Sequence, residues 1–303
     1  MMGGRLYIDG RDAYTEFGVW VVEGGWNELL SYPPLKPVVY NDWQEEDGVE
    51  VDLSDPILDS QEVSIKIAIR GYNNRFESLI KLLSDRAYHI FDCAYIQRRY
   101  KLRLIEIPSL ITAESFGIFT LKLANDFPLM DYTYLPPFSR LVQNEDYGFD
   151  GALFSDYGVY ILKGVRDELG KTSSVKMNLL RNINTEATCL YDDNRVTFKS
   201  KEVNLDCLMR ADSLNELWRN YDALLFDLTR PAERLLEIEG EEYPFYYKSC
   251  HISEFYPTDK IWLQFTLTIV FTTNVRVAAG ESILASESQV VISTENGDFA
   301  ILL

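Results

Sequence analysis

The sequence predicts a mainly β protein: two tandem β-sandwich domains, each with one flanking helix, followed by a C-terminal β-hairpin. Three observations predict this fold class. The chain of 303 residues repeats itself at a shift of about 140, apolar and polar residues alternate in segments of both halves, and each half contains one segment with helical periodicity. The length also suits two domains of about 150 residues each.

Composition and charge indicate an ordinary globular chain with a large acidic excess. Hydrophobic residues make up 47% and charged residues 25%, which excludes disordered and fibrous classes. The formal net charge of -18 disfavours binding to nucleic-acid phosphates or to an anionic membrane surface. The longest apolar stretch, 261–271, is shorter than the roughly 18 residues that a membrane span needs, and residues 1–5 lead straight into a strand-like segment, so neither a span nor a secretory leader is expected.

The internal repeat is the strongest pattern in the chain. The matched segments are FGVWVVEG (17–24) with YGVYILKG (157–164), Leu35-Lys36 with Val175-Lys176, EVSIKIAIR (62–70) with EVNLDCLMR (202–210), and FTLKL (119–123) with FTLTI (265–269). The shift is 140 for the first three pairs and 146 for the last, a drift that short loop insertions produce. The repeat predicts two copies of one fold, and the alternative is two unrelated β-rich halves.

The first half has strands, then a helix, then more strands. The expected strands are 17–23, 38–40, 49–53, 63–67, 90–95, 100–107 and 117–124. Strict alternation of apolar and polar residues predicts half-buried antiparallel strands at 49–53 and 63–67. Between the fourth and fifth strands, Asn73 or Asn74 can cap a helix whose apolar residues over 76–83 form one stripe.

The second half follows the same order. A helix capped by Asp212 or Ser213 carries apolar residues from 214 to 225 and ends at Arg230-Pro231. Strands are expected afterwards at 235–239, 245–252 and 262–272. The predicted organisation is a first domain at 1–128, a Pro-containing linker at 129–151, a second domain at 152–274 and a hairpin extension at 275–303, where Asn296-Gly297 is a turn signal.

Metal-binding patterns are weak. The acidic loop NDWQEEDG at 41–48 lacks the EF-hand spacing, because Gln44 interrupts the ligand series and Leu53 occupies the twelfth position, so a solvated turn anchored by Trp43 is preferred to a calcium site. The four cysteines form no C-x-x-C motif. His89 with Cys93, and Cys250 with His251, are interpreted as strand residues packing in their own domains, with a zinc site as the alternative.

Catalytic motifs are not found. The sequence has no G-x-S-x-G nucleophile elbow, no P-loop and no G-x-G-x-x-G motif, and its 47 acidic residues fix no separation of a carboxylate pair. We therefore assign no catalytic, cofactor-binding or metal-binding residue and expect no enzyme activity and no cofactor. Aromatic residues instead suggest an interface, since Tyr and Trp anchor protein contacts or stack on sugars, although core filling explains many of them. The candidate interface residues are Trp43, Tyr132, Tyr134, Phe138, Tyr246 and Tyr247.

Several features of the first half together resemble one protein family. The features are the aromatic-Gly strand at 17–19, the Pro-rich loop before Lys36, Asp42-Trp43, the segment DGVEVDL at 47–53 and the helix that follows. They resemble the distal tail proteins of long-tailed phages over about 125 residues, and the second copy follows through the repeat. Many distal tail proteins carry a galectin-like C-terminal domain, whereas a second tube-like copy here is similar to the baseplate hub proteins, whose trimers use two such domains per chain.

The resemblance implies two tail-tube-like domains in a ring around a DNA channel. The implied role is a structural component of a phage or prophage tail tip, linking the tail tube to the baseplate. Implied partners are copies of the chain itself, as a trimer with pseudo-six-fold symmetry or a hexamer, and the tail tube, tape-measure and receptor-binding proteins. DNA would only pass through the lumen, and no membrane is involved. The implied location is the virion, after assembly in the bacterial cytoplasm. The alternatives are a carbohydrate-binding module for cell-surface attachment and a glycan hydrolase.

Overall fold

The structure, a computed structural model, consists mainly of antiparallel β-sheet with a few helices, which confirms the predicted fold class. We call residues 6–128 the first half and residues 147–273 the second half. The described residues are 6–71, 74–106, 109–113, 116–128, 132–140, 147–169, 171, 173–176, 181–182, 189–190, 196–238 and 240–273. The predicted C-terminal hairpin at 275–303 lies outside these residues.

The first half contains one large sheet and three helices. Its helices are α1 Ala13–Phe17, α2 Asn27–Leu30 and α3 Arg75–Ser84. Its strands are β1 Leu6–Ile8, β2 Arg11–Asp12, β3 Val19–Val21, β4 Val39–Asn41, β5 Glu50–Asp52, β6 Gln61–Arg70, β7 His89–Cys93, β8 Arg98–Glu106, β9 Ile111–Ala113 and β10 Phe116–Asn125. The strand order is β2-β1-β7-β8-β10-β6-β3, with β9 also paired to β10, and β4 pairs with β5 separately.

The second half repeats this arrangement. A 3-10 helix Phe154–Tyr157 precedes the helices α4 Val165–Leu169 and α5 Leu214–Leu228. The strands are β11 Tyr147–Phe149, β12 Ala152–Leu153, β13 Val159–Lys163, β14 Arg181–Asn182, β15 Cys189–Leu190, β16 Lys201–Ala211, β17 Arg234–Ile238, β18 Glu241–Tyr256 and β19 Ile261–Phe271. The order β12-β11-β17-β18-β19-β16-β13 matches the first sheet strand for strand, and β14 with β15 matches β4 with β5. Both halves therefore have one topology.

Each sheet curls because its central strand changes partners. In the first half, β8 pairs with β7 through residues 98–102 and with β10 through 103–106, so the strand passes from one group of strands to the next. Alternation then places the apolar side chains of β6 in the core: Val63, Ile65 and Ile67 are at most 1% exposed, whereas Lys66 points outward. The single curled sheet thus supplies both layers of the predicted sandwich.

The long helix of each half packs on its sheet. Phe76 of α3 contacts Phe119 of β10 edge to face, with ring centroids 5.1 Å apart. In the second half, Tyr221 of α5 meets Phe265 of β19 in the same way at 6.1 Å. The α5 helix begins at Ser213, whose hydroxyl accepts a hydrogen bond from the amide of Glu216 at 3.2 Å, as the capping pattern predicts.

Two boundaries differ from the sequence interpretation. The predicted strand at 17–23 begins only at Val19, because Phe17 ends α1 and Gly18 turns the chain with φ of 66°. Gly158 makes the same turn in the second half, with φ of 74°. The second sheet begins with β11 at Tyr147, inside the segment interpreted as linker 129–151, because β11 pairs along β17.

Candidate assembly interface

The two halves contact each other through different surfaces. The turn after β3 carries residues 27–35 of the first half onto the edge of β18, which β17 pairs only as far as Phe245. The Leu35 amide donates to the Lys248 carbonyl at 2.9 Å. The Ile252 amide donates to the Ser31 hydroxyl at 3.0 Å. The first half thus covers backbone groups that the second sheet leaves unpaired, and we call this segment the edge cap.

Buried tyrosines fill the space beneath the edge cap. The rings of Tyr32 and Tyr221 stack with centroids 3.9 Å apart. The Tyr32 hydroxyl donates to the carbonyl of Tyr221, and the Tyr221 hydroxyl donates to the Leu30 carbonyl at 2.7 Å. The Tyr247 hydroxyl donates to the Pro33 carbonyl at 2.7 Å. Burial raises the pKa of Tyr32, Tyr221 and Tyr247 well above the usual phenol range, so these tyrosines act as neutral hydrogen-bond donors.

A charged contact joins the turn between β7 and β8 to the α5 helix. The Arg98 guanidinium donates to both carboxylate oxygens of Asp222, at 2.8 Å and 2.7 Å, and lies 4.4 Å from the centre of the Trp218 ring. The Trp218 indole donates to the Ile96 carbonyl at 2.6 Å. Burial disfavours the charged guanidinium, but the charge and hydrogen bonds of Asp222, together with the neighbouring Tyr100 and Tyr221, on balance raise the pKa of Arg98.

The acidic loop at 41–48 binds a lysine of the second half. The Lys176 ammonium, 2% exposed, lies 2.6 Å from the Asp42 carboxylate and donates to the carbonyls of Trp43 at 2.8 Å and Gly48 at 2.6 Å. The Phe198 amide donates to the Asp47 carboxylate at 2.9 Å. The loop is solvent-exposed over 41–46, as interpreted, but the predicted anchor is wrong, because Lys176 and the chain around Phe198 hold the loop instead of Trp43.

Trp43 itself points away from this contact. Its side chain is 51% exposed, and its indole donates to the Glu50 carboxylate at 3.1 Å. That hydrogen bond, with a second from Asn41, lowers the pKa of Glu50. Of the predicted interface residues, Trp43 thus remains available to another molecule.

The predicted linker tyrosines pack on α5. Tyr132 and Tyr134 contact the Phe226 ring, with centroids 5.8 Å and 5.0 Å away, and the Tyr134 hydroxyl donates to Asp227 at 3.2 Å. The amide of Phe138 donates to the Asn220 side chain at 2.8 Å, while the Phe138 ring is 52% exposed. Residues 132–138 therefore lie along α5, so these two tyrosines offer no open stacking platform for the carbohydrate-binding alternative.

The last two predicted interface residues are neighbours on β18. Tyr246 is partly exposed. Tyr247 is 1% exposed and contacts Pro33 of the first half. It therefore serves an interface within the chain and not the predicted surface for another molecule.

The histidine and cysteine pairs do not converge. The His89 ring bonds Asp9 at 2.8 Å and the Leu83 carbonyl at 3.1 Å, both within the first half. Cys250 lies in the second half, where burial raises its pKa to about 12. In the part of the chain that the structure describes, no cluster of three or more His, Cys, Asp or Glu side chains is placed to hold a metal ion.

Sequence reasoning missed the residues that form the strongest contacts. Tyr221 belongs to the predicted apolar stripe of α5, but neither it nor Tyr32 nor the Arg98–Asp222 pair carries a local pattern that shows its distant partner. Lys176 had a signal, because it recurs with Lys36 at the shift of 140, but only Lys176 is buried. The repeat thus pointed to the position of Lys36 and Lys176, but it did not show that only Lys176 binds the acidic loop.

Comparison with solved structures shows distant likeness. No protein-family model matches the chain, and no curated protein matches it significantly. A solved structure, the SPP1 Dit (gp 19.1) protein, described as a paradigm of the hub adsorption apparatus in phages infecting Gram-positive bacteria, aligns with a TM-score of 0.33 and 17% identity. The alignment covers 43% of this chain and 50% of that chain, about half its length. A likeness at this TM-score does not establish a shared fold. Among the described helices, none has the length and apolar character for a membrane crossing.

Proposed function

We propose that the protein is a structural ring component of a phage or phage-like tail tip, linking the tail tube to the baseplate and host-recognition apparatus. The observation that carries the proposal is the contact between the halves. Two copies of one topology meet through unlike surfaces, the edge cap of one copy and the strand edge of the other. A contact between unlike surfaces of equivalent units is head-to-tail, and repeating it builds a ring when the rotation closes.

The repeated topology allows the second half of one chain to bind the first half of another in the same way. The second half has its own segment equivalent to the edge cap, and the first half has its own strand edge. Joining these between chains continues the same series of contacts around a ring. Three chains then supply six equivalent positions, which suits a six-fold tube; six chains in a hexamer are the alternative.

The tail assignment is supported by the sequence resemblance and by charge. The residues that carry the resemblance include Asp42-Trp43 and Gly48. Asp42 forms an ion pair with Lys176, and the carbonyls of Trp43 and Gly48 accept hydrogen bonds from it. These residues therefore serve assembly of tube-like units. A net charge of -18 also suits a wall past which DNA slides, because an acidic lumen repels phosphate.

The proposal includes no enzymatic step and no cofactor. The proposed partners are the tail tube, tape-measure and receptor-binding proteins, and the proposed location is the virion. The central test is native mass spectrometry with negative-stain electron microscopy of the purified protein. A trimer or hexamer forming an annulus with a central hole is expected, and DNA should not be retained by it. A chain that is monomeric at every concentration and also in tail particles would defeat the proposal.

A further inference from the structure

A β-bulge occurs at the same place in both halves. In the second half, β18 pairs Tyr247 with Ile269 and then Ser249 with Thr268, which leaves Lys248 as the extra residue. In the first half, β8 pairs Leu104 with Leu123 and Glu106 with Lys122, which leaves Ile105 as the extra residue. Ile105 therefore occupies the position of Lys248, whose carbonyl accepts the hydrogen bond of the edge cap.

The segment around Val175 occupies the position of the edge cap. Leu35 bridges Leu58, and Val175 bridges Phe198, so both partners shift by 140 residues. The next amide repeats the pattern as well: Lys36 donates to Ile57 at 2.9 Å, and Lys176 donates to Thr197 at 2.8 Å. The backbone of the second half thus presents Val175 as the first half presents Leu35.

The equivalent positions Leu35 and Val175 differ in exposure. Leu35 packs against the core beside β18, whereas Val175 is 48% exposed and Ile105 is 39% exposed. Within the described residues, β7 pairs β8 only at 98–102, so the edge at 103–106 has no strand partner on that side. Val175 and Ile105 are thus exposed apolar residues at the positions of Leu35 and Lys248, and Ile105 lies on a strand edge. Such residues indicate two surfaces that can bind each other.

The neighbouring surface is apolar in the first half alone. Ile111 and Ile118 are cross-strand partners on β9 and β10, and they are 75% and 43% exposed. Their counterparts in the second half, Glu254 and Gln264, are also cross-strand partners but are polar. The first half therefore has an apolar patch beside the free edge that the second half lacks, which is expected if another chain covers it.

We infer that residues 173–176 of a second copy of this chain dock on the edge of β8, with the Val175 amide donating to the Ile105 carbonyl. The inference rests on the proposed ring and identifies the surfaces that close it. The contact has fewer aromatic residues than the contact within the chain, because the sequence has Thr172 at the position of Tyr32 and Leu104 at the position of Tyr247. The contact between chains is therefore the weaker of the two.

Disulfide trapping tests the inference directly. Two single variants, Ile105→Cys and Val175→Cys, are mixed in a Cys189→Ser background and oxidised. Cys93, Cys207 and Cys250 are buried, so they remain unreactive. We expect a covalent dimer containing one chain of each variant, because backbones joined by such a hydrogen bond lie within the roughly 4.4–6.8 Å between Cα atoms that a disulfide needs. The double variant should give a ladder ending at the ring.

Matched controls make the outcomes distinguishable. The Leu35→Cys/Lys248→Cys variant should cross-link within one chain, which checks the geometry at the equivalent position. Val175→Lys places a charge where the contact within the chain has Leu35, so it should raise the apparent dissociation constant of the oligomer at least about tenfold. Leu162→Lys, on β13 with 53% exposure against 48% for Val175, should leave it unchanged. An oligomer that persists without the cross-link and ignores Val175→Lys overturns this inference but keeps the ring, whereas a monomer at every concentration overturns both.

Discussion

Replacing Lys176 with Met should lower the free energy of unfolding strongly, although the two side chains have similar volumes. The ammonium is buried and lies within 2.8 Å of three oxygen atoms, those of Asp42, Trp43 and Gly48. Breaking a buried ion pair costs about 3–5 kcal/mol. The Asp42 side chain is 44% exposed and regains water, so we expect about 2–4 kcal/mol less free energy of unfolding. At roughly 2 °C per kcal/mol for a chain of this size, Tm should fall by about 4–8 °C.

The repeat supplies the control. Lys36 stands at the equivalent position of the first half with an exposed side chain, so Lys36→Met should change the free energy of unfolding by less than about 0.5 kcal/mol. Urea unfolding at high dilution measures both variants. Hydrogen exchange adds a local readout, because the Gly48 and Val49 amides, bonded to Phe198 and Thr272, should lose protection in Lys176→Met. Equal stability of the two variants would refute the role given to Lys176.

Three further changes have defined outcomes. Tyr221→Phe removes a buried hydrogen bond between the halves and should cost about 1–2 kcal/mol in urea unfolding; no loss would contradict it. Gly158→Ala should lower Tm, because its φ is 74° and a Cβ would lie 2.7 Å from a backbone oxygen, whereas Gly10→Ala, with open space, should cost less. Burial opposes ionisation of Asp9, but hydrogen bonds from a β7 amide and His89 lower its pKa, so its contribution is present above pH about 4 and lost as pH falls through the lowered value. Asp9→Asn should therefore lower Tm at pH 7, and the difference from the unchanged protein should shrink as pH falls below about 4; a pH-independent difference would disprove this.

Local patterns predicted the strands and long helices well. The alternation over 63–67 lies inside β6, and the apolar stripe from 214 lies inside α5, since both periods are written in neighbouring residues. The short α1 helix was not predicted, and only its last residue, Phe17, fell in a predicted strand, because five residues are too few to show a helical period. Gly18, which separates that helix from β3, was the available signal.

The contacts between the halves were not predictable in the same way. Lys36 and Lys176 sit in matching sequence and matching backbone, yet one is exposed and the other buried. Their burial depends on which distant segment lies beside each, and no window of sequence contains that information. The same holds for Tyr132 and Tyr134, whose aromatic character predicted an interface but not that α5 supplies it.

The edge cap has a consequence for synthesis of the chain. The first half leaves the ribosome before β18 is made, and early-made domains fold as units while later residues emerge. The Leu35 amide and the Ser31 hydroxyl are therefore in place when Lys248 and Ile252 arrive. An uncovered strand edge is a template for pairing between nascent chains on neighbouring ribosomes. The order of the two repeats along the chain thus means that the cover for β18, the longest of the described strands, is synthesised before the strand itself.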